Sequence, residues 1–225
     1  MSNFNLQPLI NRFEANANAD KAKQMKAYMK DHFDYLGLPS PLRRELSKSF
    51  YAEEGYPEPD LVRAITEKCW KMPYREYQYF AMELMVRMKK KTAHDAIHLY
   101  EQLITEKSWW DSIDLIAPSL LGYHFLEYPE ERLDYISKWM ASENIWLQRS
   151  CILFQLKYKL DTDTRLLTNI ILELKDLKEF FIRKAIGWSL REYSKTDPGF
   201  VIRFVQNHDL SGLSHREAIK WLERQ

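Results

Sequence analysis

Residues 110–117 read WDSIDLIA, and segments with a similar pattern begin at Tyr74 (YREYQYFA), Ile145 (IWLQRSCI) and Phe180 (FFIRKAIG). Consecutive segments start 36, 35 and 35 residues apart. Each opens a stretch with the apolar spacing of an amphipathic helix. A second helical segment follows each of them, at residues 93–105, 129–140, 162–174 and 198–207. Helix pairs that recur at this period are typical of an α-solenoid.

The low glycine content and the candidate helix caps of the sequence also favour helices. The chain has only 6 glycines in 225 residues, which argues against an all-β protein with many tight turns. Candidate N-cap residues precede several helical segments, at Ser40, Thr92, Ser108, Asp197 and Ser214. We predict an all-α fold, an α-solenoid of HEAT-like repeats with a concave face. An irregular helical bundle is the alternative.

Composition sets the domain organisation and the compartment that we expect. A hydrophobic share of 45% over 225 residues is enough for a sizeable core. We predict one domain over residues 1–225, with an N-terminal helical cap at 1–72 and helix pairs at 73–225. Two isolated cysteines and the lack of a signal peptide or a long apolar run indicate a cytoplasmic protein, not a membrane protein. We expect it to be a monomer.

One position of the 35-residue register carries a polar group in every segment. Equivalent positions of stacked repeats form a row on one surface, and helical residues three, four, seven or eight apart share a face. The row contains one acid among cations, with tryptophans one turn away. Its members and their neighbours are Tyr79, Asp114, Arg149, Lys184, Trp110, Trp188, Lys157, Arg191 and Lys195.

This composition suits a DNA backbone and a cationic lesion, so we predict that the concave face of the solenoid is a concave DNA-binding face. Lysine and arginine neutralise phosphates, and aromatic faces pack on sugars or bases. A lone acid such as Asp114 repels phosphate, but it would favour an alkylated, positively charged purine and the positive charge that develops on the sugar during glycosidic cleavage. The alternative is an ordinary salt bridge between Asp114 and Arg149, with both tryptophans in the core.

The same residues lie in segments that resemble the AlkD-type alkylpurine DNA glycosylases of the DNA alkylation repair family. The resemblance covers nearly the whole chain. It rests on SWWDSID at 108–114, WLQR at 146–149 with Lys157, RKAIGWSLRE at 183–192, YMKDHF at 28–33 and LGLPSPLRR at 36–44. It implies a HEAT-like fold and release of N3-methyladenine and N7-methylguanine from double-stranded DNA without base flipping or a cofactor.

The resemblance also implies roles for individual residues. Asp114 would be the catalytic carboxylate, and Trp110 and Trp188 would hold the deoxyribose of the lesion. Arg149 would contact phosphate near the lesion. The supporting DNA contacts would be Tyr28, Lys157 and Arg191, and the register row adds Lys184 as a further phosphate ligand. We expect a hydrolytic, monofunctional enzyme, because neither Lys157 nor Lys184 is interpreted as a nucleophile.

Other signals are interpreted as structural. His94 and His98 are spaced like zinc ligands, but no third ligand is obvious, so we expect no metal site. Trp70, Trp139 and Trp221 are predicted to be core residues. Asp111 is the nearest rival to Asp114. Two other functions remain open: a non-catalytic protein that binds DNA structures, and a protein-binding adaptor on the same scaffold.

Overall fold

The computed structural model describes residues 4–224, and their regular structure is helical. No strand forms among them beyond an isolated bridge between Asp34 and Tyr74. The prediction of an all-α fold is confirmed. The chain divides into two compact units between Ala93 and His94, and each is described by itself below. The prediction of one domain, with a cap that ends at residue 72, stays a prediction.

The first unit is built around an aromatic core. Phe13, Phe50, Tyr77 and Phe80 are almost completely buried there. The carboxylate of Glu76 accepts hydrogen bonds from the backbone N–H groups of residues 36, 37 and 38, which fixes the loop before the third helix. The helices of this unit are α1 Gln7–Ala15, α2 Ala19–Tyr28, α3 Ser40–Glu54, α4 Val62–Lys71 and α5 Arg75–Met88.

The second unit contains the last three of the four helix pairs predicted by the register. Helices begin at Trp110, Ile145 and Phe180, the starts that the 35-residue spacing predicts. Its helices are α6 Ala96–Thr105, α7 Trp110–Ile116, α8 Gly122–Glu127, α9 Arg132–Met140, α10 Ile145–Leu153, α11 Thr164–Leu174, α12 Phe180–Tyr193, α13 Pro198–Asn207 and α14 Gly212–Ile219.

The first helices of successive pairs pack side by side in the second unit. Helix α7 contacts α10, α10 contacts α12, and α12 contacts α14. Ile113, Leu147, Ile182 and Ile186 are buried in these helices, and each side chain contributes about 1.5–3 kcal/mol by leaving water. This arrangement is solenoid-like, as the register predicts. It brings Asp114, Arg149 and Lys184 of the 35-residue row onto neighbouring helices.

The N-cap predictions were only partly right. Asp197 caps α13, since its Oδ1 accepts a hydrogen bond from Phe200 N at 2.8 Å. Ser40 instead lies inside α3. Ser214 lies inside α14, which is capped by Ser211. The hydroxyls of Thr92 and Ser108 donate back to carbonyl groups of the preceding turn, so the helices that follow begin later than these residues suggest.

No helix within residues 4–224 combines the length and the apolar character that crossing a membrane would require.

Candidate functional site

Asp114 lies on α7, one helical turn after Trp110. Its neighbours Ile113 and Ile116 are fully buried, whereas the Asp114 side chain keeps 21% of its surface exposed. Four residues later, Pro118 has no N–H to offer the carbonyl group of Asp114. The helix changes there to a π turn over Ala117–Leu121 and then continues as α8. Such π turns within helices are frequent at functional sites.

Asp114 and Arg149 meet between α7 and α10. Arg149 Nε donates to Asp114 Oδ1 at 2.9 Å, and Nη2 donates to the same oxygen at 2.7 Å. Nη1 donates to the carbonyl oxygen of Phe181 on α12. The guanidinium therefore bonds to groups on both neighbouring helices, and the Arg149 side chain is only 4% exposed.

Two opposing effects act on the protonation of Asp114. Burial raises the pKa of this carboxyl group and is the larger effect, while the charge and hydrogen bonds of Arg149 lower it. The negative charge of Asp111 adds a smaller upward effect. The net pKa lies above the ordinary value of 3.8. A carboxyl group with a raised pKa beside a buried guanidinium is a common feature of functional sites.

An aromatic cluster of Trp109, Trp146 and Phe181 lies beside Arg149. The ring centroids of Trp109 and Trp146 lie 5.6 Å apart, and that of Phe181 lies 5.1 Å from Trp109 and 5.0 Å from Trp146. The guanidinium carbon of Arg149 lies 5.9 Å from the Phe181 ring centroid. The Phe181 ring thus contacts the guanidinium through a cation–π interaction, and the two indoles pack against that ring. Of the two adjacent tryptophans, Trp109 therefore belongs to this cluster.

The other tryptophans of the predicted site, Trp110 and Trp188, are half-buried. Trp110 is the first residue of α7 and lies one turn before Asp114. Trp188 lies one turn after Lys184 on α12. By contrast, Trp139 is fully buried and Trp70 nearly so, as predicted for core residues. Trp110 and Trp188 thus retain accessible surface that a core tryptophan would not have.

Lys157 is exposed and lies just beyond α10. Its Nζ donates to the hydroxyl group of Ser119 at 2.7 Å. Ser119 belongs to the π turn that follows Asp114, so the structure connects Lys157 to the helix that carries the acid. A lysine held by a neutral hydroxyl keeps its full charge for an anionic ligand.

Lys184 and Arg191 share a partner that the sequence did not reveal. Lys184 Nζ lies 2.9 Å from Oε1 of Glu217 on α14, and Arg191 donates to Oε2 of the same carboxylate. The hydrogen bond from Lys184 is the main reason that the pKa of Glu217 is lowered, although burial opposes it. The two predicted phosphate ligands are therefore bridged by an ionised acid.

Two tyrosines of the prediction lie in the first unit. Tyr28 is the last residue of α2, and its ring is 69% exposed. Tyr79 lies on α5, and its hydroxyl is 3.1 Å from that of Tyr35. The predicted contact of Tyr28 with DNA stays a prediction.

The histidines that are spaced like zinc ligands, His94 and His98, do not lie on one helix. Helix α6 begins only at Ala96, so His94 precedes it while His98 lies on it. His94 and His124 each place Nε2 about 3 Å from a different oxygen of Glu131. Within residues 4–224, no group of three or more His, Cys, Asp or Glu side chains is arranged to hold a metal ion. Cys69 and Cys151 are buried free thiols.

The second unit thus presents an acid, a buried guanidinium, further cations and two accessible tryptophans on adjacent helices of a solenoid-like, all-α protein. The chain matches the sequence profile of the family described as DNA alkylation repair enzyme over residues 9–222. The chain therefore belongs to the DNA alkylation repair enzyme family.

Solved structures agree with this assignment. A predicted DNA alkylation repair enzyme from Enterococcus faecalis is 32% identical, with a TM-score of 0.84, over 93% of this chain and 98% of that one. The protein smu.31 from Streptococcus mutans UA159 is 15% identical, with a TM-score of 0.58 and the same coverage of both chains, which indicates a shared fold alone. No curated protein gives a significant sequence match.

Sequence reasoning missed Glu217 and the cluster around Trp109. The next register position after Lys184 is Ile219, because the register is 35 residues, but α14 begins only 32 residues after α12. The shorter repeat moves the acid at 217 next to Lys184. Closer attention to the seven-residue spacing of Lys184 and Arg191 could have suggested a shared partner, but not which one.

Proposed function

We propose that this protein is a monofunctional DNA glycosylase that releases cationic alkylated purines, N3-methyladenine and N7-methylguanine, from duplex DNA. One observation carries the proposal. Asp114, a partly exposed carboxylate with a raised pKa, is held by Arg149 on the row that also carries Trp110 and Trp188. Membership of the DNA alkylation repair family supports a role in alkylation repair.

The chemistry requires little more than a positioned negative charge. Alkylation makes the purine cationic, so the glycosidic C–N bond breaks with its electron pair leaving on the base, which becomes neutral. Positive charge then develops on the deoxyribose, and the Asp114 carboxylate stabilises it. A water molecule adds its oxygen to C1′ and loses a proton to Asp114 or to solvent. No group is needed to protonate the departing base.

Arg149 gives Asp114 a defined orientation for this task. Both of its hydrogen bonds to the carboxylate end on Oδ1, so they leave Oδ2 for the sugar or the attacking water. Preorganisation of this kind avoids the cost of orienting the charge during the reaction. An ordinary structural salt bridge would show the same pairing, but loss of the acid would then leave base release unchanged.

Binding is assigned to the surrounding cations and indoles. Lys157, Lys184 and Arg191 would neutralise backbone phosphates. Trp110 and Trp188 would pack against the deoxyribose of the lesion, since both keep accessible surface. We propose that the lesion stays stacked in the duplex, because the site is assigned to contacts with the backbone and sugar. This differs from the base flipping that many DNA-modifying enzymes use.

The test is base release from methylated duplex DNA under single-turnover conditions. Asp114→Asn should reduce the rate by about 10²–10³-fold while DNA binding is retained or improved, because a charge that repels phosphate is lost. Asp111→Asn is the matched control: it makes the same chemical change three residues earlier on α7 and should keep most of the activity. Equal rates for wild type and Asp114→Asn would exclude Asp114 as the catalytic carboxylate.

The alternative function is a non-catalytic protein that binds DNA structures. It predicts duplex binding without base release by the wild type, and the same assay therefore decides between the two. The acid at position 114 speaks against this alternative, because a protein that only binds phosphate would gain affinity by losing it.

A further inference from the structure

A cavity of about 490 Å³ lies at the C-terminal end of the second unit, beside α12 and α14. Its lining is almost entirely charged, so an apolar ligand would find only one indole to pack against. We call it the C-terminal basic cavity. It is lined by Lys184, Arg191, Lys195, Glu217, Lys220, Trp221 and Arg224.

The charges of this cavity favour an anion. Five lining residues are cations and one is an anion, which gives a net charge of +4. Lys184 and Arg191 are paired with Glu217, and Lys195 is paired with Glu192. Lys220 and Arg224 form no ion pair within residues 4–224. Because the pKa of Glu217 is lowered, its carboxylate is ionised and neutralises part of the positive charge of the cavity.

Gly187 is the reason that α14 can approach α12 so closely. A Cβ atom at position 187 would lie 2.8 Å from the carbonyl oxygen of Ser214 and would also overlap the side chain of Glu217. Lys184 and Arg191 lie three residues before and four residues after Gly187, and so share its helix face. The missing side chain thus brings Glu217 between the two cations.

Trp221 has a different environment from the one predicted. It was expected in the core, but it is half-buried and lines the cavity. It directly follows Lys220 and precedes the short 3₁₀ helix Leu222–Arg224. Proteins that bind nucleic acids combine cations that follow the phosphate backbone with aromatic side chains, and both kinds of side chain line this cavity.

We propose that the C-terminal basic cavity is a second phosphate-binding site, which takes a backbone phosphate of the duplex on one side of the lesion. This inference rests on the proposed function, because it extends the phosphate contacts already assigned to Lys184 and Arg191 to Lys220 and Arg224, which lie outside the register row. In the absence of DNA, Glu217 occupies the anion position between Lys184 and Arg191. DNA phosphate then competes with Glu217 for these two cations, while Lys220 and Arg224 are available from the start.

The first experiment compares the wild type with Lys220→Ala/Arg224→Ala on duplexes that carry one central lesion and have either flank shortened. On the long duplex, the slope of log affinity against log salt should fall by about one for each lost phosphate contact. The difference should disappear when one particular flank is removed. Arg165→Ala/Arg203→Ala is the matched control, since it removes the same charge from exposed positions of the second unit.

Each outcome of this experiment is decisive. Identical slopes for the wild type and Lys220→Ala/Arg224→Ala would overturn the cavity site, and so would a loss of affinity that does not depend on either flank. The control variant Arg165→Ala/Arg203→Ala should keep the wild-type slope. If its slope fell as much as that of Lys220→Ala/Arg224→Ala, the effect would come from the net charge of the protein and not from the cavity. If the wild type neither binds the duplex nor releases a base, the proposed function itself fails, which is a separate result.

The second experiment tests Glu217 with a change of the opposite sign. Glu217→Gln keeps the size of the side chain but removes the competing charge, so duplex affinity should rise and the salt slope should become steeper. A thermal melt shows whether the contact between α12 and α14 persists. Unchanged or weaker DNA binding by a folded Glu217→Gln variant would contradict the competition between Glu217 and phosphate.

Discussion

Asp114 offers a single carboxylate oxygen, Oδ1, to both Nε and Nη2 of Arg149, at 2.9 and 2.7 Å. This geometry differs from the usual bidentate pair, in which two guanidinium nitrogens donate to the two different oxygens of a carboxylate. It holds the carboxylate firmly while leaving Oδ2 outside the pair. The third donor of Arg149 reaches the backbone of Phe181, so the arginine links α7, α10 and α12 as well as orienting the acid.

The first prediction concerns the stability that Arg149 provides. Arg149→Ala should lower the free energy of unfolding by about 3–5 kcal/mol, because it removes one partner of a buried pair and leaves Asp114 without its counter-charge. Denaturant unfolding measures this change. If the free energy of unfolding fell by less than about 1 kcal/mol, the pair would contribute little to the stability of the fold. The role of Arg149 would then be in DNA binding.

A double variant separates structure from chemistry at the same pair. Asp114→Leu/Arg149→Met replaces both charges by apolar side chains, and such replacements of buried pairs are often neutral for stability. We expect the double variant to recover most of the stability that Arg149→Ala loses and still release no base. Recovery of base release together with stability would show that the pair is purely structural.

The regular repeat explains why the register placed Asp114 and Arg149 in one row; a salt bridge between them was the alternative interpretation of the sequence. Helices α7, α10 and α12 start 35 residues apart, so equal register positions face each other on neighbouring helices. The same logic failed for α14, which begins 32 and not 35 residues after α12. Register reasoning identifies neighbours only while the spacing between repeats stays constant.

The helix starts show a second limit of the sequence. Asp197 was found as a cap because Pro198 fixes the first turn of α13. Ser108 and Thr92 offered the same side-chain chemistry, but their hydroxyls donate backwards to the preceding turn. A serine or threonine can bond either way, and the choice depends on packing that a single sequence does not display.

The second prediction is a pH dependence set by Asp114. Base release needs the ionised carboxylate, and burial raises its pKa above 3.8. The single-turnover rate should therefore fall as the pH decreases through this raised value. Asp111→Asn should move that decline to lower pH, because Asp111 contributes to raising the pKa. A decline at the same pH in Asp111→Asn would exclude Asp114 as the titrating group.

The same raised pKa has a consequence for stability with the opposite sign from an ordinary salt-bridged aspartate. The folded protein holds the Asp114 proton more tightly than the unfolded chain, so this group's contribution to stability falls as the pH rises from 3.8 through the raised pKa. Unfolding of the wild type beside Asp114→Asn measures it. If the wild type instead became more stable relative to Asp114→Asn as the pH rises over this interval, the pKa of Asp114 would not be raised by folding.

The third prediction distinguishes functional tryptophans from core tryptophans. Trp139 is fully buried, so Trp139→Ala should cost about 3–5 kcal/mol of unfolding free energy. Trp110→Ala and Trp188→Ala should cost clearly less, because both indoles are half-buried, yet they should reduce base release strongly. Thermal melts and the base-release assay decide this. A melting temperature for Trp188→Ala as low as that of Trp139→Ala would identify Trp188 as a core residue.

The final prediction concerns the charge of the substrate. With an ionised Asp114 and a cationic leaving group, the site should release 7-methylguanine and 3-methyladenine from duplex DNA. Uracil and 1,N6-ethenoadenine are uncharged, so their departure requires a proton from a general acid. Arg149 and the neighbouring cations are assigned to orientation and to DNA binding. The proposed site therefore has no general acid to protonate a neutral base.

Comparison of these lesions in one duplex sequence, at equal enzyme excess, provides the measurement. The single-turnover rate for uracil should be lower than that for 7-methylguanine. The ratio of the two rates should be at least as large as the ratio between the wild type and Asp114→Asn on 7-methylguanine. Substrates of both kinds must bind equally well for the comparison to report on chemistry, and a binding titration on each duplex checks this. Efficient release of uracil would require a general acid and contacts to the base itself, and would overturn the mechanism in which Asp114 acts only through its negative charge.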